Sequence, residues 1–383
     1  MAEVGLSGLL LDSPHSGTAV YTRNLLRHLP GAAPDLDFRL FVRNSDPLIA
    51  SIPVDRLDTP WARLNHESSL FARLDKLHWE TISFPLAARL RNVALVHSLY
   101  FAAPVVQPAP VVVTIHDLVP LVVPGYHRGR APALYSQLMT WTARRAAAII
   151  TVSEHARQDI IRVLRIPESR VHITPEAVDE RFTPDPGPED CRVRSKYHLP
   201  ERFVLYLGSA ERRKNLETLV RAWATAESQM RGREVTLVIV SHFPPNDDLY
   251  PDVRLLAQSL GVSTIQFVPE VEEQDKPALY RLATLFCFPS TYEGFGLPPL
   301  EALASGLPLL CSSATSLPEV VGEAGRLLDP MDVQAWGDSM IALIDSQPER
   351  DELRRRGPLR AAHFHWSQTA RQTAEVYRSV LAR

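Results

Sequence analysis

The sequence has few of the features that mark secreted, metal-binding or membrane-spanning proteins. Among 383 residues there are three cysteines, Cys191, Cys287 and Cys311, and no C-x-x-C pair. Isolated thiols are typical of a reducing compartment and argue against a disulfide framework or a thiolate zinc site. The longest apolar stretch, 93–115, is interrupted by three prolines, so it predicts no membrane span.

An excess of one charge is also absent. Lysine and arginine together number 41, aspartate and glutamate 44, and the formal net charge is −3. This balance provides no overall attraction for nucleic acid or for an anionic membrane. The first residues carry neither a basic cluster nor a long apolar core, so we predict no signal peptide and expect a cytoplasmic protein.

Short apolar runs alternate with amphipathic stretches along the chain. The runs at 203–207 and 235–240 are typical of buried strands, and the segment 215–230 between them has helical periodicity. This alternation predicts an α/β protein with parallel sheets covered by helices on both faces.

A Pro- and acid-rich segment, PDPGPED, divides the chain. It predicts a linker at 181–195 between an N-terminal domain at 1–180 and a C-terminal domain at 196–362. The last stretch, 363–383, has one apolar stripe at helical spacing and predicts a terminal helix.

The most informative segment is 289–306, PSTYEGFGLPPLEALASG. The preceding run LFCF predicts a strand, and the two prolines after the glycines suit the first turn of a helix. The glycines let the backbone approach a ligand closely, and the helix start presents free N–H groups to a diphosphate. Glu293 is expected at the carboxyl edge of the strand and Glu301 in the first helical turn, within reach of a sugar hydroxyl.

Glu293 and Glu301 form an E-x7-E pattern that resembles the signature of retaining, nucleotide-sugar-dependent glycosyltransferases of family GT4. The resemblance implies the GT-B fold, with two Rossmann-like parallel-sheet domains facing a cleft and a C-terminal helix that crosses back to the first domain. It implies that the C-terminal domain binds the sugar donor and the N-terminal domain presents the acceptor. The donor-binding residues it implies in this segment are Glu293, Gly294, Phe295, Gly296, Leu297 and Glu301.

A second glycine segment, GSAERRKN at 208–215, follows the predicted strand FVLYL. Adjacent cations at a helix start can neutralise a departing diphosphate, although the segment can also be an ordinary solvated charge run. It resembles the G-x-x-x-x-R-K-N segment of the family, which implies that Arg213 and Lys214 bind the diphosphate beside Gly208 and Ser209. Many family members have arginine where this chain has Ser209, which alters one phosphate contact.

His116 follows a β-branched run in the sequence TIHDL. A histidine at the edge of a sheet can orient a sugar hydroxyl or transfer a proton, or it can be a hydrogen-bonded structural residue. H-D-L resembles a family motif whose histidine contacts the transferred sugar. His116, Glu293 and Lys214 are therefore the predicted catalytic residues.

The segment SGTAVY precedes the first predicted helix. By resemblance, Gly17 lies in a loop over the diphosphate and binds the sugar donor, and Thr18 is expected to cap the helix. The alternative is a simple turn and cap.

The resemblance implies a retaining, metal-independent glycosyltransferase. It would move a hexose from a nucleotide-diphosphate sugar, GDP-mannose or a similar donor, to a glycan, lipid-linked or small-molecule acceptor, with no cofactor besides the sugar donor. No D-x-D motif ends a strand, so no metal site is expected. Two alternatives stay open: a sugar-nucleotide epimerase with the same fold, and a non-catalytic binding protein.

The partners follow from this prediction. We expect a nucleotide-sugar donor and no nucleic acid, and the oligomeric state stays undetermined. The amphipathic, partly basic stretch 61–91 suits either ordinary packing, which is favoured, or peripheral contact with the inner face of the membrane.

Overall fold

The computed structural model describes residues 1–12, 17–43, 51–59, 69–126, 130–244 and 248–383. These residues form two compact units. Unit 1 comprises Met1–Leu121, His127–Glu176 and Trp366–Arg383, and unit 2 comprises Val122–Tyr126 and Ala177–His365.

Unit 1 is built on a parallel sheet. Its strands are β1 (Ala2–Ser7), β2 (Leu36–Val42), β3 (Val54–Arg56), β4 (Leu95–Ser98), β5 (Val111–Thr114), β6 (Ala148–Thr151) and β7 (Val171–Ile173). Its helices are α1 (Gly17–Ala32), α2 (Ser69–His78), α3 (Phe84–Leu90), α4 (Val119–Val122, at the unit boundary), α5 (Arg130–Arg144) and α6 (Glu154–Leu164). A π turn at Trp79–Ser83 joins α2 to α3. The strand order is β3-β2-β1-β4-β5-β6-β7.

Unit 2 contains a second parallel sheet. Its strands are β8 (Phe203–Leu207), β9 (Thr236–Val240), β10 (Ile265–Val268), β11 (Leu285–Phe288), β12 (Leu309–Ser312) and β13 (Arg326–Leu328). Its helices are α7 (Asp190–Lys196), α8 (Leu216–Gly232), α9 (Val253–Ser259), α10 (Lys276–Leu282), α11 (Leu297–Ala304), α12 (Leu317–Val321), α13 (Val333–Asp345) and α14 (Gln347–Ala361). The strand order is β10-β9-β8-β11-β12-β13.

The central strands are buried on both faces, which explains their apolar sequences. FVLYL in β8, LFCF in β11 and VVVT in β5 contain almost no solvent-facing residue, as expected of parallel strands covered by helices on both sides. In unit 2, α8 packs against α13 and α11 against α14, with Trp223 and Trp336 fully buried. The predicted parallel α/β architecture is confirmed.

Both sheets have the doubly wound order in which the first strand lies beside the fourth. In such sheets, ligands bind outside the carboxyl ends of the strands at the point where the chain reverses its direction of winding. In unit 2 this point lies between β8 and β11. The two glycine segments identified in the sequence follow these two strands.

The last helix, α15 (Trp366–Leu381), belongs to unit 1 and packs against α1. This return of the C-terminal helix to the first unit confirms the prediction made for 363–383. Its apolar stripe is buried, and Thr369 Oγ1 donates a hydrogen bond to the carbonyl of Pro175 at 2.6 Å.

Two expectations about local structure are corrected. The chain passes from unit 1 to unit 2 at Glu176–Ala177, and the predicted linker 181–195 lies inside unit 2, where α7 begins at Asp190. Asp190 accepts hydrogen bonds from Arg281, including one at 2.6 Å, so this acidic segment is held to α10 by charge. Thr18 is the second residue of α1 and not its cap.

The amphipathic stretch 61–91 is described only in part, because residues 61–68 lie outside the described ranges. Within the described part, Trp79 is fully buried and forms part of the unit 1 core. Among the described residues, no helix is long and apolar enough to cross a membrane.

Candidate active site

The loop between β11 and α11 is fixed by local backbone geometry. Gly296 caps α11 with φ +126°, and a Cβ there would lie 2.9 Å from Leu317 Cδ2. The positive φ favours glycine, and an added Cβ would also displace the Leu317 side chain. Ser316 Oγ lies within hydrogen-bonding distance of the carbonyls of Glu293 (2.9 Å) and Phe295 (2.8 Å). These contacts hold the loop predicted to bind the sugar donor, in which Gly294, Phe295 and Gly296 are buried and Leu297 is half-buried.

The segment after β8 is tied to this loop. The carbonyl of Arg213 accepts hydrogen bonds from Thr291 N at 2.7 Å and Ser290 Oγ at 3.1 Å. Asn215 adopts the left-handed conformation, with φ 57°, and its Nδ2 donates to the carbonyl of Pro289 at 3.1 Å. The two predicted donor-binding segments thus form one structure at the carboxyl edge of the sheet.

Gly208 and Ser209 lie at the end of β8. A Cβ on Gly208 would lie 2.8 Å from the hydroxyl of Tyr206, which donates a hydrogen bond to the Ser209 carbonyl at 2.8 Å. Ser209 Oγ is buried and has no hydrogen-bond partner among the described residues. A buried hydroxyl of this kind is suited to bind a ligand oxygen.

A buried ion-pair cluster connects the two segments. Lys214 Nζ lies 2.6 Å from Glu293 Oε1, and Arg213 Nη1 lies 3.1 Å from Glu293 Oε2. These side chains are between 10% and 14% exposed. Lys214 also lies over the ring of Phe288, 5.2 Å from its centroid. The sequence predicted all three charged residues for the site, but it did not predict that they pair with one another.

The electrostatics of the cluster follow from two cations sharing one carboxylate. Burial by itself raises the pKa of Glu293, but Lys214 and Arg213 outweigh burial and hold that pKa below its usual value. Burial lowers the pKa of Lys214, with Glu293 opposing this shift and Arg213 reinforcing it. Lys214 and Arg213 thus both favour the charged form of Glu293 in this buried site.

Arg213 is oriented by residues that the sequence did not identify. Its Nε donates to Glu211 Oε2 at 2.7 Å, and the hydroxyl of Tyr126 donates to the same oxygen at 2.9 Å. Tyr126 lies far away in the sequence, in the short segment 122–126 that belongs to unit 2. A cavity of about 360 Å³ borders this group, with Thr291 and Met331 also in its lining.

Glu301 is the fifth residue of α11 and is half-buried. The hydroxyl of Tyr280 donates a hydrogen bond to its Oε2 at 2.9 Å. Burial raises the pKa of Glu301, although Lys276 and the Tyr280 hydrogen bond oppose this effect. Tyr280 itself is packed edge-on against Phe182 and Phe286, so it holds the carboxylate in a defined position. No pattern in the sequence pointed to Tyr280.

In unit 1, His116 follows β5 at the carboxyl edge of the sheet. Its Nδ1 lies 2.8 Å from Glu176 Oε1, and the ring of Tyr21 meets the imidazole edge-on with centroids 4.6 Å apart. Asp117 Oδ1 accepts a hydrogen bond from Val119 N, at the start of the short helix α4, at 3.0 Å. Glu176 was not identified from the sequence.

The structure places Gly17, another predicted donor-binding residue, at the start of α1. Gly17 is the first residue of this helix and is exposed, while residues 13–16 lie outside the described ranges. Arg157 pairs with Glu154 at 3.0 Å and with Glu168 on the surface of unit 1. Within the described ranges, no group of three or more His, Cys, Asp or Glu side chains is arranged to hold a metal.

Comparison with known proteins identifies the family. Residues 191–360 match the model of glycosyl transferases group 1, and residues 15–182 match that of glycosyltransferase family 4. O-antigen chain mannosyltransferase B of Escherichia coli is 33% identical over 268 residues, which cover 70% of each chain. The serotype-specific mannosyltransferase WbdA, also from Escherichia coli, is 34% identical over 72% of this chain, and the match spans 34% of WbdA.

Solved structures show the same fold. Sucrose-phosphate synthase from Thermosynechococcus elongatus matches with a TM-score of 0.75 over 100% of both chains, at 22% identity. Anabaena HepE, solved with UDP and glucose, matches with a TM-score of 0.71 over 99% of this chain and 100% of its own, at 17% identity. The likeness establishes the predicted GT-B fold. Because both halves of the chain match and a curated relative is covered over 70% of its length, the chain belongs to the GT4 family and is a glycosyltransferase.

Proposed function

We propose that this protein transfers a hexose from a nucleoside-diphosphate sugar to a glycan, lipid-linked or small-molecule acceptor, with retention at the anomeric carbon. Mannose from GDP-mannose is the first donor to test, because the relatives described above carry mannosyltransferase names. The solved complex of HepE with UDP and glucose makes a uridine donor the second.

The observation that carries the proposal is the buried cluster of Arg213, Lys214 and Glu293 at the switch point of the unit 2 sheet. A buried pair of cations is costly unless an anion neutralises it. Glu293 serves this purpose in the structure, and a diphosphate with more negative charge can replace it. We infer that sugar-donor binding transfers the cations from Glu293 to the phosphates and frees the Glu293 carboxylate to accept hydrogen bonds from the sugar.

The chemistry proposed for this arrangement is charge stabilisation of the leaving group. The bond between the anomeric carbon and the β-phosphate oxygen breaks, and its electrons remain on the phosphate beside Lys214 and Arg213. The acceptor hydroxyl attacks from the same face, and its proton passes to the departing phosphate oxygen, which gives retention. Glu301 is proposed to bind the ribose and His116 to bind a substrate hydroxyl, with Gly17, Gly208 and Ser209 contacting the diphosphate.

The first test is a panel of nucleoside diphosphates and their sugars, followed by thermal unfolding. A ligand at about 100 times its dissociation constant stabilises the protein by about 2.7 kcal/mol, which identifies the base and the sugar. Product analysis with and without acceptor then separates the alternatives. Epimerised nucleotide sugar without acceptor would indicate an epimerase, and binding without any turnover would indicate a binding protein.

Metal independence is tested on the same reaction. Arg213, Lys214 and the start of α11 are proposed to supply the positive charge that a divalent ion supplies elsewhere. Activity should therefore persist in EDTA. Loss of activity in EDTA, with recovery on adding magnesium or manganese, would contradict this part of the proposal.

A cytoplasmic site of action, with peripheral contact at the inner membrane face, is also proposed. Ile82, Leu86 and Leu90 are spaced four residues apart and are 51%, 53% and 76% exposed, with exposed Arg89 beside them. Apolar residues next to a cation suit an anionic lipid surface. Co-sedimentation with anionic vesicles should fall when Leu86 and Leu90 are changed to serine, and equal binding of both proteins would contradict the contact.

A further inference from the structure

His116 and Glu176 form a buried pair at the carboxyl edge of the unit 1 sheet. Glu176 Oε1 lies 2.8 Å from His116 Nδ1, and the two side chains are 6% and 15% exposed. Glu176 follows β7 by three residues, and the carbonyl of the preceding Pro175 accepts a hydrogen bond from Thr369 on α15. The hydrogen bond from Thr369 therefore holds the backbone next to Glu176, whose carboxylate contacts the imidazole.

The other ring nitrogen has a different environment. His116 Nε2 is buried and has no hydrogen-bond partner among the described residues. Tyr21 meets the ring edge-on and packs in turn against Trp366, so the imidazole is confined between an aromatic ring and the carboxylate. A buried polar atom without a partner needs an explanation, and a ligand contact provides one here, because ligands bind at the carboxyl edge of such sheets.

We propose that Glu176 is a positioning residue that fixes the tautomer of His116. An ionised carboxylate can only accept a hydrogen bond, so Nδ1 must carry the proton that it donates. In the neutral ring, Nε2 then carries a lone pair and acts as an acceptor. This inference rests on the proposed function, and it adds that His116 accepts a hydrogen bond from a substrate hydroxyl.

The direction of this hydrogen bond has a consequence for substrate recognition. A hydroxyl can donate to Nε2, whereas a fluorine at the same carbon can only accept and a hydrogen does neither. Sites built to hydrogen-bond a hydroxyl discriminate strongly against analogues that lack it, because the buried group is left unpaired. We therefore expect two substrate analogues to be equally poor substrates: one with hydrogen and one with fluorine in place of the hydroxyl that donates to Nε2.

The alternative is that the pair serves only to stabilise unit 1, and a spectroscopic experiment separates the two. The full chain is labelled with ¹⁵N-histidine, and the His116 ring is assigned by comparison with His116→Gln. A pH titration identifies the neutral form, and the ¹⁵N shifts then report its tautomer. We expect a protonated Nδ1 in the wild type and in Glu176→Gln, whose amide oxygen can accept, and a protonated Nε2 in Glu176→Ala.

Kinetics on the same proteins complete the test. Glu176→Ala should lower kcat about tenfold or more, as is usual when the group that orients a working histidine is removed, and Glu176→Gln should recover most of the loss. The affinity for free nucleoside diphosphate should not change. Glu80→Gln is the matched control, because Glu80 is a buried carboxylate of unit 1 bound to Tyr100 and Tyr135.

The outcomes are distinguishable. A wild-type ring protonated on Nε2, or a tautomer that Glu176→Ala leaves unchanged, would overturn the role of Glu176 whatever the activity. An equal loss of kcat in Glu80→Gln and Glu176→Ala would show a merely structural effect and would also overturn it. If the tautomer behaves as expected but no sugar is transferred to any acceptor, the proposed function fails and the assignment of the His116 tautomer stands.

Discussion

At the scale of single residues, the partners of Glu293 determine what its replacement would do. Removing the carboxylate entirely would leave Lys214 buried without its ion-pair partner, and Arg213 would keep its ion pair with Glu211. Breaking a buried ion pair in this way typically costs about 3–5 kcal/mol of stability. A loss of activity in Glu293→Ala would therefore not distinguish unfolding from a lost contact with the sugar. Glu293→Gln keeps the shape and the hydrogen-bonding oxygen, and is the better probe of its contact with the sugar.

Lys214→Met should lower kcat about 100-fold, because charge develops on the diphosphate as the glycosidic bond breaks. The adjacent Arg212 offers a matched control, since its side chain is 56% exposed and pairs with Glu217. Steady-state rates at saturating sugar donor should be normal for Arg212→Met. Normal turnover of Lys214→Met under the same conditions would refute the leaving-group role.

Glu301→Ala should weaken binding of both the nucleoside diphosphate and its sugar by about 1–3 kcal/mol, through the loss of charged hydrogen bonds to the ribose. Glu293→Gln should weaken only the sugar-bearing ligand. Calorimetric titration of both ligands on each variant measures the difference, with the exposed Glu323→Ala as the control. Unchanged affinity in Glu301→Ala would remove the ribose assignment.

At the scale of elements, the start of α11 depends on one glycine. Gly296 combines a positive φ with a tight approach to Leu317, and Pro298 and Pro299 follow in the first helical turn, where they need no partner for a backbone N–H. Because the two prolines have no N–H and Leu300 N donates to the Gly296 carbonyl at 3.1 Å, the backbone N–H of Leu297 is the one that the first four residues of α11 can offer to a ligand.

Gly296→Ala should destabilise the protein by about 1–3 kcal/mol and weaken nucleoside diphosphate binding, because the added methyl strains the backbone and meets Leu317. Gly232→Ala is the control: Gly232 ends α8, nothing lies within 4 Å of the added carbon, and its backbone is not left-handed. That change should be neutral or stabilising. Thermal unfolding with and without ligand measures both, and equal behaviour of the two variants would exclude the strain argument.

At the scale of the whole molecule, the chain leaves unit 1 at Glu176, builds unit 2, and returns to unit 1 with α15. The return is anchored by polar contacts as well as by apolar packing. The hydroxyl of Tyr377 on α15 lies 2.6 Å from His97 Nδ1, and His97 Nε2 lies 2.9 Å from Thr114 Oγ1. These groups are buried, so the helix is joined to β4 and β5 through a histidine that has no access to water.

Unit 1 should lose stability on acidification because of His97. Burial lowers the pKa of His97 to about 3, with His116 nearby adding to the effect, whereas the unfolded chain has the ordinary value of 6.5. The unfolded state therefore binds more protons between these values. The contribution of His97 is complete above pH 6.5 and falls by about 1.4 kcal/mol per pH unit below it.

His97→Gln should remove this part of the pH dependence. Thermal midpoints measured between about pH 7 and pH 5 should fall less in His97→Gln than in the wild type, while His363→Gln, at an exposed position, should follow the wild type. Parallel slopes in the wild type and His97→Gln would show that His97 is not the responsible group.

Much of the fold was predictable because it is encoded locally. Strands such as FVLYL carry long apolar runs, helices carry their own periodicity, and glycine and proline mark the loop before α11. The strands β1, β3, β7 and β13 were not predicted, because β1 reads AEVGLS without a continuous apolar run and the other three have only three residues each. The segment 181–195 was interpreted as a linker because its composition is polar, but it lies inside unit 2, where Glu189 and Asp190 form ion pairs with Arg281 of α10.

The sequence by itself determined the family, the two parallel sheets and the residues Arg213, Lys214, Glu293, Glu301 and His116 as candidates. Only the tertiary structure decided which of them pair. Glu293 lies 79 residues from Lys214, and Glu176 lies 60 residues from His116. Such pairs form because parallel strands end at one edge of a sheet and place distant loops side by side. The order of the strands in the sheet determines which loops become neighbours. The hydrophobic periodicity of a single segment carries no information about that order.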